Sequence, residues 1–344
     1  MKKQLYIFLI LVVSSWTLTA QDLHFSMNDM NPLYLNPAQA GMNIHVRGSI
    51  QYREQWRSVT TPFTTGIFSY DMNTMKNSRG NAKLGVGVQV INDKAGDSKM
   101  GLTQGNLNLS AVLKLDEESK LSFGLMGGFG QRAIDYSSLR WESQYVNGAY
   151  NQNASTGENL SVNSTTYFDA GAGFVWSYGK DQGYITQNNG IKFNIGFSAF
   201  HFNLPNTTFM GGTDVKLDTK FVGFTNAEIG KENTNLTFIP SVYYLRQGKL
   251  QNLILGNTFR YLINEGSHFT GFVKSSAVSL GVNYRLKDAI IGNFNFEYAN
   301  YTIGFSYDLT VSGLSIVNQS RGAFEVVFRY RTPNPFGKMS KARI

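Results

Sequence analysis

The stretch Asn-Phe-Asn-Phe-Glu-Tyr-Ala-Asn-Tyr-Thr-Ile-Gly-Phe-Ser-Tyr-Asp-Leu, residues 293–309, decides the fold class. Large apolar side chains and small or polar ones alternate along it, on both sides of a tight turn at Ala299-Asn300. Since the side chains of a strand point alternately to its two faces, this period of two predicts an antiparallel hairpin. One face is aromatic and aliphatic and the other is small, polar and acidic, so the sheet separates two solvents.

The same alternation recurs along most of the chain. Each further candidate strand is of the order of 10 residues long, which suits a tilted strand that crosses an outer membrane. With the two strands of the hairpin, the pattern predicts an all-β fold, a transmembrane antiparallel β-barrel of about 14 strands within residues 43–331. The other candidate strands are 44–53, 63–72, 82–91, 102–115, 121–133, 167–178, 191–203, 221–231, 236–245, 250–263, 273–285 and 323–331.

Charges of both signs lie on the polar faces of these strands, and such charges belong in a wet or plugged lumen rather than in a dry core. A pair of secreted β-sandwiches would also alternate. The uninterrupted run of long strands, the lack of a proline-rich linker and the tyrosines near strand ends favour the barrel. The charged residues are Arg47, Arg53, Lys83, Lys192, Arg260, Arg285, Arg329, Asp169, Glu297, Asp308 and Glu325.

Composition agrees with a membrane barrel and excludes several kinds of site. The 344 residues include 25 Phe, 18 Tyr and 35 Gly, and only 16% are charged, against about 25% in soluble domains. Without cysteine, the chain has no disulfide framework, thiol nucleophile or thiolate metal site. The formal net charge is +8, but the basic residues are scattered and an exported protein rarely meets nucleic acid, so no nucleic acid is expected as a partner.

The two ends of the chain differ from the barrel. Residues 1–20 have two lysines, an apolar run and small residues ending at Ala20, the layout of a cleaved signal peptide. Residues 21–42 are polar and turn-rich, with Asn31-Pro32, Asn36-Pro37 and Gly41, and are expected outside the sheet as a periplasmic N-terminal segment. Residues 332–344 form a basic C-terminal tail.

The connections between strands predict the orientation. If the chain starts in the periplasm, the odd-numbered connections face outward and include the long ones. The fifth (134–166), seventh (204–220) and thirteenth (310–322) exceed the rest, and an even strand count returns the tail to the side of the N-terminus. The expected location is therefore the outer membrane, among its lipids, with both termini periplasmic.

No residue pattern predicts catalysis, a cofactor or a metal. His24, His45, His201 and His268 lie far apart without carboxylates at ligand spacing. The acidic turn 116–118 is a weaker candidate for calcium than for solvated charge. The glycines of 124–130 lie within an alternating strand and lack the lysine and helix of a phosphate-binding loop. A lipid hydrolase would need His201, with Asn203 beside it, to meet a nucleophile at one rim.

The N-terminal segment carries the most specific motifs. They are Gln-Asp-Leu-His-Phe-Ser at 21–26, Asn-Pro-Leu-Tyr-Leu-Asn-Pro-Ala-Gln-Ala-Gly at 31–41 and Tyr-Arg-Glu-Gln-Trp at 52–56. Together with Tyr70-Asp71, Tyr284-Arg285, Lys287-Asp288-Ala289, Phe305-Ser306-Tyr307-Asp308 and Gly322-Ala323-Phe324-Glu325, they make the chain resemble the PorP/SprF family. Members of this family are Bacteroidetes outer-membrane proteins associated with the type IX secretion system.

The resemblance implies a barrel that serves protein secretion or gliding motility. Its partners would be components of the secretion machinery, or a large cell-surface adhesin that is exported and held by its C-terminal sorting domain. Two features depart from the family pattern: Leu23 replaces a proline common in members, and the basic tail lacks the terminal aromatic residue of many outer-membrane barrels. The alternative function is a general diffusion porin for small solutes.

Three groups of residues are candidates for plugging the lumen or binding partners. Two Asn-Pro turns compact the N-terminal segment, because proline restrains its own φ and the residue before it; such a segment would close the lumen or offer an edge to a periplasmic partner. The first strand would support the outer rim or a partner bound at the outer loops, and the fifth connection would present a surface to an adhesin. Alternatively, all of them only stabilise the barrel. The residues are Asn31, Pro32, Asn36, Pro37, Ala38 and Gly41, then Arg53, Gln55 and Trp56, then Trp141 and Tyr145.

Overall fold

The computed structural model describes residues 23–74, 81–146, 148–157, 163–179, 190–208, 215–230, 234–265 and 274–332. The predicted signal peptide at residues 1–20, the tail beyond Thr332 and His268 lie outside these residues. Sixteen strands are present: β1 Val46–Gln55, β2 Phe63–Asn73, β3 Ala82–Ala95, β4 Met100–Lys114, β5 Ser119–Ala133, β6 Tyr145–Val146, β7 Ala149–Tyr150, β8 Ser164–Tyr178, β9 Gly190–Phe200, β10 Lys220–Gly230, β11 Leu236–Gln247, β12 Leu250–Asn264, β13 Ser276–Arg285, β14 Ala289–Tyr298, β15 Tyr301–Thr310 and β16 Arg321–Arg331.

Short helical turns occupy the remaining regular positions. The α-helical ones are α1 Pro32–Leu35 and α2 Ser315–Asn318, and the 3-10 turns are Asn28–Met30, Pro37–Gln39, Tyr136–Ser138 and Glu142–Gln144. Among the residues described, no helix has the length and apolar character needed to cross a membrane.

Fourteen of the strands form one closed antiparallel barrel, which confirms the predicted fold class and strand number. Every strand pairs with its neighbours in sequence, except that β5 pairs directly with β8, because β6 and β7 form a separate hairpin in the connection between them. The barrel closes where β1 meets β16, and Arg53 lies opposite Glu325 across this seam.

The hairpin that decides the fold forms as predicted. Phe294 lies opposite Phe305 and Phe296 opposite Ile303, and all four rings or side chains are exposed on the outside of the barrel. Between them, Glu297 lies opposite Thr302, and both point inward and are buried. The turn is tight because Ala299 adopts a left-handed conformation with φ of 52°.

The same inversion extends around the wall: large apolar side chains cover the outer surface and polar ones fill the interior. A protein that folds in water buries its apolar side chains and exposes its polar ones, which is the opposite arrangement. The observed distribution is therefore typical of a barrel whose wall faces lipid.

The two ends of the barrel differ. We call the end at which β1 starts and β16 finishes the termini end, and the opposite end the loop end. The long fifth and seventh connections, residues 134–163 and 201–219, both lie at the loop end, as predicted. The thirteenth does not exceed the others as expected: residues 311–320 are no longer than residues 179–189 at the termini end, because β15 extends to Thr310 and β16 begins at Arg321.

Candidate functional site

Residues 23–42, here called the plug, lie inside the barrel. These residues contribute no strand to the sheet, and they pack against the inner wall of the barrel, where the alternative of a segment that closes the lumen would place them. The plug enters at the termini end, where Gly41 donates its N–H to Asp71 Oδ2 at 2.8 Å, and it reaches the loop end, where Leu23 and His24 line a cavity. Leu23 and Thr332 therefore lie at opposite ends of the barrel.

Apolar contacts explain why the plug is inside. Phe25, Leu35 and Met42 are buried in one cluster with inward side chains of the wall, among them Ile67 and Val112. Burial of a side chain of this size contributes about 1.5–3 kcal/mol relative to exposure. The plug thus covers the apolar side chains that the wall directs into the lumen.

Both Asn-Pro motifs start a helical turn of the plug. Pro32 is the first residue of α1 and Pro37 the first of the next 3-10 turn, where the missing N–H is not needed. The Asn36 amide donates to the carbonyl oxygens of Phe174 at 3.0 Å and Phe197 at 2.9 Å, and its oxygen accepts from the Ala38 N–H at 2.9 Å. Asn36 therefore joins the plug to the backbones of β8 and β9.

Glycines on the inner faces of the strands make room for the plug. A Cβ atom on Gly124 would collide with the backbone of Pro37 and Ala38, and one on Gly85 would collide with the Ala40 carbonyl. Next to them, Ser122 Oγ donates to the Ala38 oxygen and Ser110 Oγ to the Ala40 oxygen, each at 2.6 Å. The small luminal residues predicted from the sequence thus form a groove that fits the plug backbone.

A charged cluster holds the loop-end part of the plug. We call Ser26, Arg53, Arg285, Asp308 and Glu325 the Ser26 cluster. Ser26 Oγ donates to Asp308 Oδ1 at 2.7 Å and accepts from Arg53 at 2.5 Å and Arg285 at 2.9 Å. The Glu325 carboxylate accepts the N–H groups of Ser26 and Met27, each at 2.9 Å.

The cluster is balanced in charge. Arg53, only 1% exposed, pairs with Asp308 at 2.8 Å and with Glu325 at 3.0 Å, and Arg285 pairs with Asp308 at 3.0 Å. Two guanidinium groups thus meet two buried carboxylates, and the polar atoms of the plug fill remaining hydrogen-bonding positions. Removing one partner of such a buried ion pair strongly destabilises the folded protein, because the other charge is left without compensation.

The first-strand candidates lie at two different depths. Arg53 is part of the Ser26 cluster inside the lumen, so the expectation that it supports the rim is wrong. Alternate residues of β1 point into the lumen, and Arg53 is one of them, so its side chain lies beside the plug. The Gln55 side chain lies 3.3 Å from the His24 ring. Trp56 is at the loop-end rim, where its N–H donates to the Gly322 oxygen at 3.1 Å and its ring packs edge-on against Phe63.

The two aromatic candidates of the fifth connection are separate from the plug. Tyr145, 53% exposed, starts the β6–β7 hairpin and packs against Tyr150. Trp141 precedes it, and the backbone N–H of Trp141 donates to Gln144 Oε1 at 3.1 Å. The structure therefore places both the Asn-Pro motifs and Arg53 in the lumen, at separate contacts, and leaves Trp141 and Tyr145 in a distinct surface at the loop end.

The candidates for chemistry have structural partners. His201 Nδ1 lies 2.8 Å from Asp169 Oδ1 inside the lumen, and Gln104 donates to the other Asp169 oxygen at 2.7 Å. Asp116 Oδ1 accepts the N–H groups of Glu118 and Ser119, at 2.7 and 2.6 Å, which hold the pKa of that carboxyl below its ordinary value. Within the described part of the chain, no three His, Asp or Glu side chains are grouped to hold a metal ion.

A cavity lies beside the plug at each end of the barrel. The loop-end cavity, about 320 Å³, is lined by Leu23, His24, Arg53 and Lys220 among others. The termini-end cavity, about 290 Å³, is lined by Met27, Asp29 and Arg329 among others, and the two have no lining residue in common. Between them, Met27, Met30 and Val327 form a buried apolar layer.

Sequence reasoning found the charges of the Ser26 cluster but missed Ser26 itself and the pairing. The inward charges on β1, β13, β15 and β16 were visible as polar-face residues. Their partners become adjacent only when the barrel closes, since Arg53 and Asp308 are 255 residues apart in sequence. The signal for the plug was the apolar content of a turn-rich segment, namely Phe25, Leu33 and Leu35.

Comparisons with solved structures give several barrels of low sequence identity. The toluene transporter TbuX of Ralstonia pickettii is 10% identical, with a TM-score of 0.46, over 89% of this chain and 94% of that one. The CymD monoaromatic hydrocarbon channel is 9% identical, with a TM-score of 0.45, over 90% and 94%. BamA from Haemophilus ducreyi is 9% identical, with a TM-score of 0.42, over 84% and 70%. A comparison with curated protein sequences gives no significant match.

The family comparison covers most of the chain. The family described as type IX secretion system membrane protein PorP/SprF matches residues 17–330, which include the plug and all strands of the barrel but the last residue of β16. The match and the lipid-facing wall support an outer-membrane location. The chain therefore belongs to the PorP/SprF family of type IX secretion system membrane proteins.

Proposed function

We propose that this protein is a non-enzymatic component of the type IX secretion and gliding apparatus that acts by binding proteins. Its partners are other components of the secretion machinery, and the C-terminal sorting domain of a large cell-surface adhesin that it exports or anchors. The family supports the secretion role. The structure supports binding rather than solute diffusion, for the reasons that follow.

The observation that carries the proposal is the plug. A diffusion porin needs a water-filled path through the lumen, whereas here residues 23–42 fill it and are fixed by the Ser26 cluster and by Asn36. Because the lumen is occupied, the surfaces available to other molecules are the two ends and the outer wall.

The loop end offers the surface for the adhesin. We place this end outward, since it carries the two longest connections, and outer-membrane barrels have short periplasmic turns and longer external loops. The β6–β7 hairpin of the fifth connection exposes the side chains of Tyr145 and Val146 there. Exposed aromatic residues of this kind are typical anchors of protein interfaces.

Conductance separates the proposal from the porin. Purified protein in planar bilayers is expected to show no steady large conductance, and the Arg53→Met variant, which leaves two buried carboxylates with one fewer cation, is expected to open transiently. Large, steady conductance of the unaltered protein would refute a binding role based on a closed lumen.

Co-purification tests the partner. A sorting domain fused to a soluble carrier is expected to be retained by the native outer-membrane protein, and to lose most of its binding in the Trp141→Ala/Tyr145→Ala variant. Leu314→Ala, on another loop-end connection, is the matched control and is expected to bind normally. Equal retention of the carrier with and without the sorting domain would contradict the proposal.

A further inference from the structure

The termini-end cavity is a blind pocket in the lumen. It is bounded above by Met27 and Met30 of the plug, which pack with Val327 in a buried layer, and by inward side chains of β9 to β16 around its wall. It opens beside Asn43 and Thr332, where the plug joins β1 and where β16 ends. A ligand can therefore reach it only from the termini end.

Most of the charged side chains of this cavity are paired. Arg260 forms two hydrogen bonds to the Glu297 carboxylate, at 3.1 and 3.0 Å, and Arg331 lies 3.5 Å from the same carboxylate. Lys192 lies 3.4 Å from Glu228. Arg47, also on the wall, forms two hydrogen bonds of 2.9 Å to Asp71. One carboxylate thus serves both Arg260 and Arg331, which leaves a positive charge in excess on this side.

Arg329 differs from these cations. It is 8% exposed, and among the residues that the structure describes it has one hydrogen bond, from Nη1 to the Asp29 carbonyl oxygen at 3.2 Å. Its Nε is buried without a partner. No carboxylate of the described chain lies within ion-pair distance of its guanidinium, although the Asp29 side chain lines the same cavity. A buried guanidinium without a carboxylate is costly, and a ligand carboxylate would satisfy it.

The rest of the wall has groups that suit a peptide. Asn283, Asn293, Asn295, Ser279 and Thr258 line the cavity, and the buried Oδ1 atoms of Asn293 and Asn295 have no partner. Amide and hydroxyl groups both donate and accept, as a peptide backbone requires. Asp29, Glu228 and Glu297 also line the cavity and would repel a free dianion such as phosphate about twice as strongly as a single carboxylate on an otherwise neutral chain.

We propose that the termini-end cavity binds the C-terminal segment of a partner polypeptide, with its terminal carboxylate on Arg329 and Arg331. The inference rests on the proposed partner-binding function and assigns it a second site, at the end opposite Tyr145. The bidentate guanidinium fork of Arg329 receives the carboxylate, and the amide side chains of β13 and β14 hydrogen-bond the preceding peptide groups.

A defined peptide tests this site. The probe is the fluorescently labelled hexapeptide Gly-Ser-Gly-Ser-Gly-Ser, prepared with a free carboxyl end and as the C-terminal amide, and its binding to the full-length protein in nanodiscs is measured by anisotropy. The free acid is expected to bind at least about tenfold more tightly than the amide, since a charge-assisted contact is lost in the amide. Arg329→Gln is expected to remove the difference, and Arg329→Lys to restore part of it.

The control variant is Arg246→Gln, which lines the loop-end cavity and is expected to keep the full difference between the two peptides. Gel mobility with and without heating shows that each variant keeps its barrel. Equal binding of acid and amide, an unchanged difference in Arg329→Gln, or displacement of the acid by inorganic phosphate at equal concentration would each overturn the proposal. If the acid peptide binds as expected but no sorting domain is retained at the loop end, the proposed function fails and the cavity site stands.

Discussion

Removal of Arg53 should release the plug. In the Arg53→Met variant, Asp308 and Glu325, which are 2% and 0% exposed, lose the guanidinium that pairs with both, and Ser26 Oγ loses a donor. Arg285 still pairs with Asp308, so Glu325 carries most of the cost. Leaving a buried charge without its partner costs about 3–5 kcal/mol. Even the lower value, about 3 kcal/mol, raises the fraction of molecules with an open plug about 150-fold.

Thiol labelling measures that fraction. The chain has no cysteine, so a single cysteine at Leu33, a plug position that is 1% exposed and lines neither cavity, reacts with a maleimide only when the plug opens. We expect labelling of Leu33→Cys to accelerate about 150-fold when Arg53→Met is added. Arg57→Met is the control, because Arg57 is 82% exposed and pairs only with Glu54, and it should leave the rate unchanged.

A labelling rate in Arg53→Met within twofold of the parent rate would refute the view that the Ser26 cluster fixes the plug. Adding Glu325→Gln to Arg53→Met removes the carboxylate that is left without a cation, so the double variant should label more slowly than Arg53→Met alone. If the double variant labels faster, the charge balance of the cluster is not what holds the plug.

Three further predictions follow from the plug and the turns. Gly124→Ala should increase labelling of Leu33→Cys, since the added Cβ meets the backbone of Ala38, whereas Gly105→Ala, with no atom within 4 Å of the added Cβ, should not. Asn36→Ala leaves the Phe174 and Phe197 carbonyl groups without their donor and should cost about 1–3 kcal/mol of plug stability, read as faster labelling, with Asn43→Ala as the control. The pKa of the Asp116 carboxyl, measured by NMR, should lie below its ordinary value, because two N–H groups favour its charged form. Its contribution to the stability of the turn is then present above the unfolded pKa and is lost as the pH falls through the folded pKa. An ordinary pKa would contradict the hydrogen bonds of this turn.

Sequence alone predicted the barrel because each strand repeats the same two-residue period, as Phe294 and Phe296 show. The predicted ends of strands were wrong where apolar and polar side chains no longer alternate. Strand β3 was expected to end at residue 91, but it continues to Ala95, because its polar end pairs with β4 beyond the apolar band. Strand β9 was expected to reach residue 203 but ends at Phe200, where His201 adopts a φ of 58°.

The candidate site was less predictable for a physical reason. The Asn-Pro motifs indicated a compact segment, yet the side of the wall on which it lies depends on groups far away in sequence. The groove under Ala38 requires Gly124, and Ser26 requires Glu325. Each of these residues is unremarkable within its own strand, and the match exists only in the closed barrel.

The seam between the first and last strands has a consequence for biogenesis. Arg53 and Glu325 face each other across it, and Glu325 also caps the backbone of Ser26 and Met27. A carboxylate near the end of the polypeptide, synthesised last, thus binds a segment synthesised near the beginning. Sealing the cylinder and trapping the segment inside are therefore one event, and a chain that inserts without its first residues in place has a seam that lacks its proper ligand.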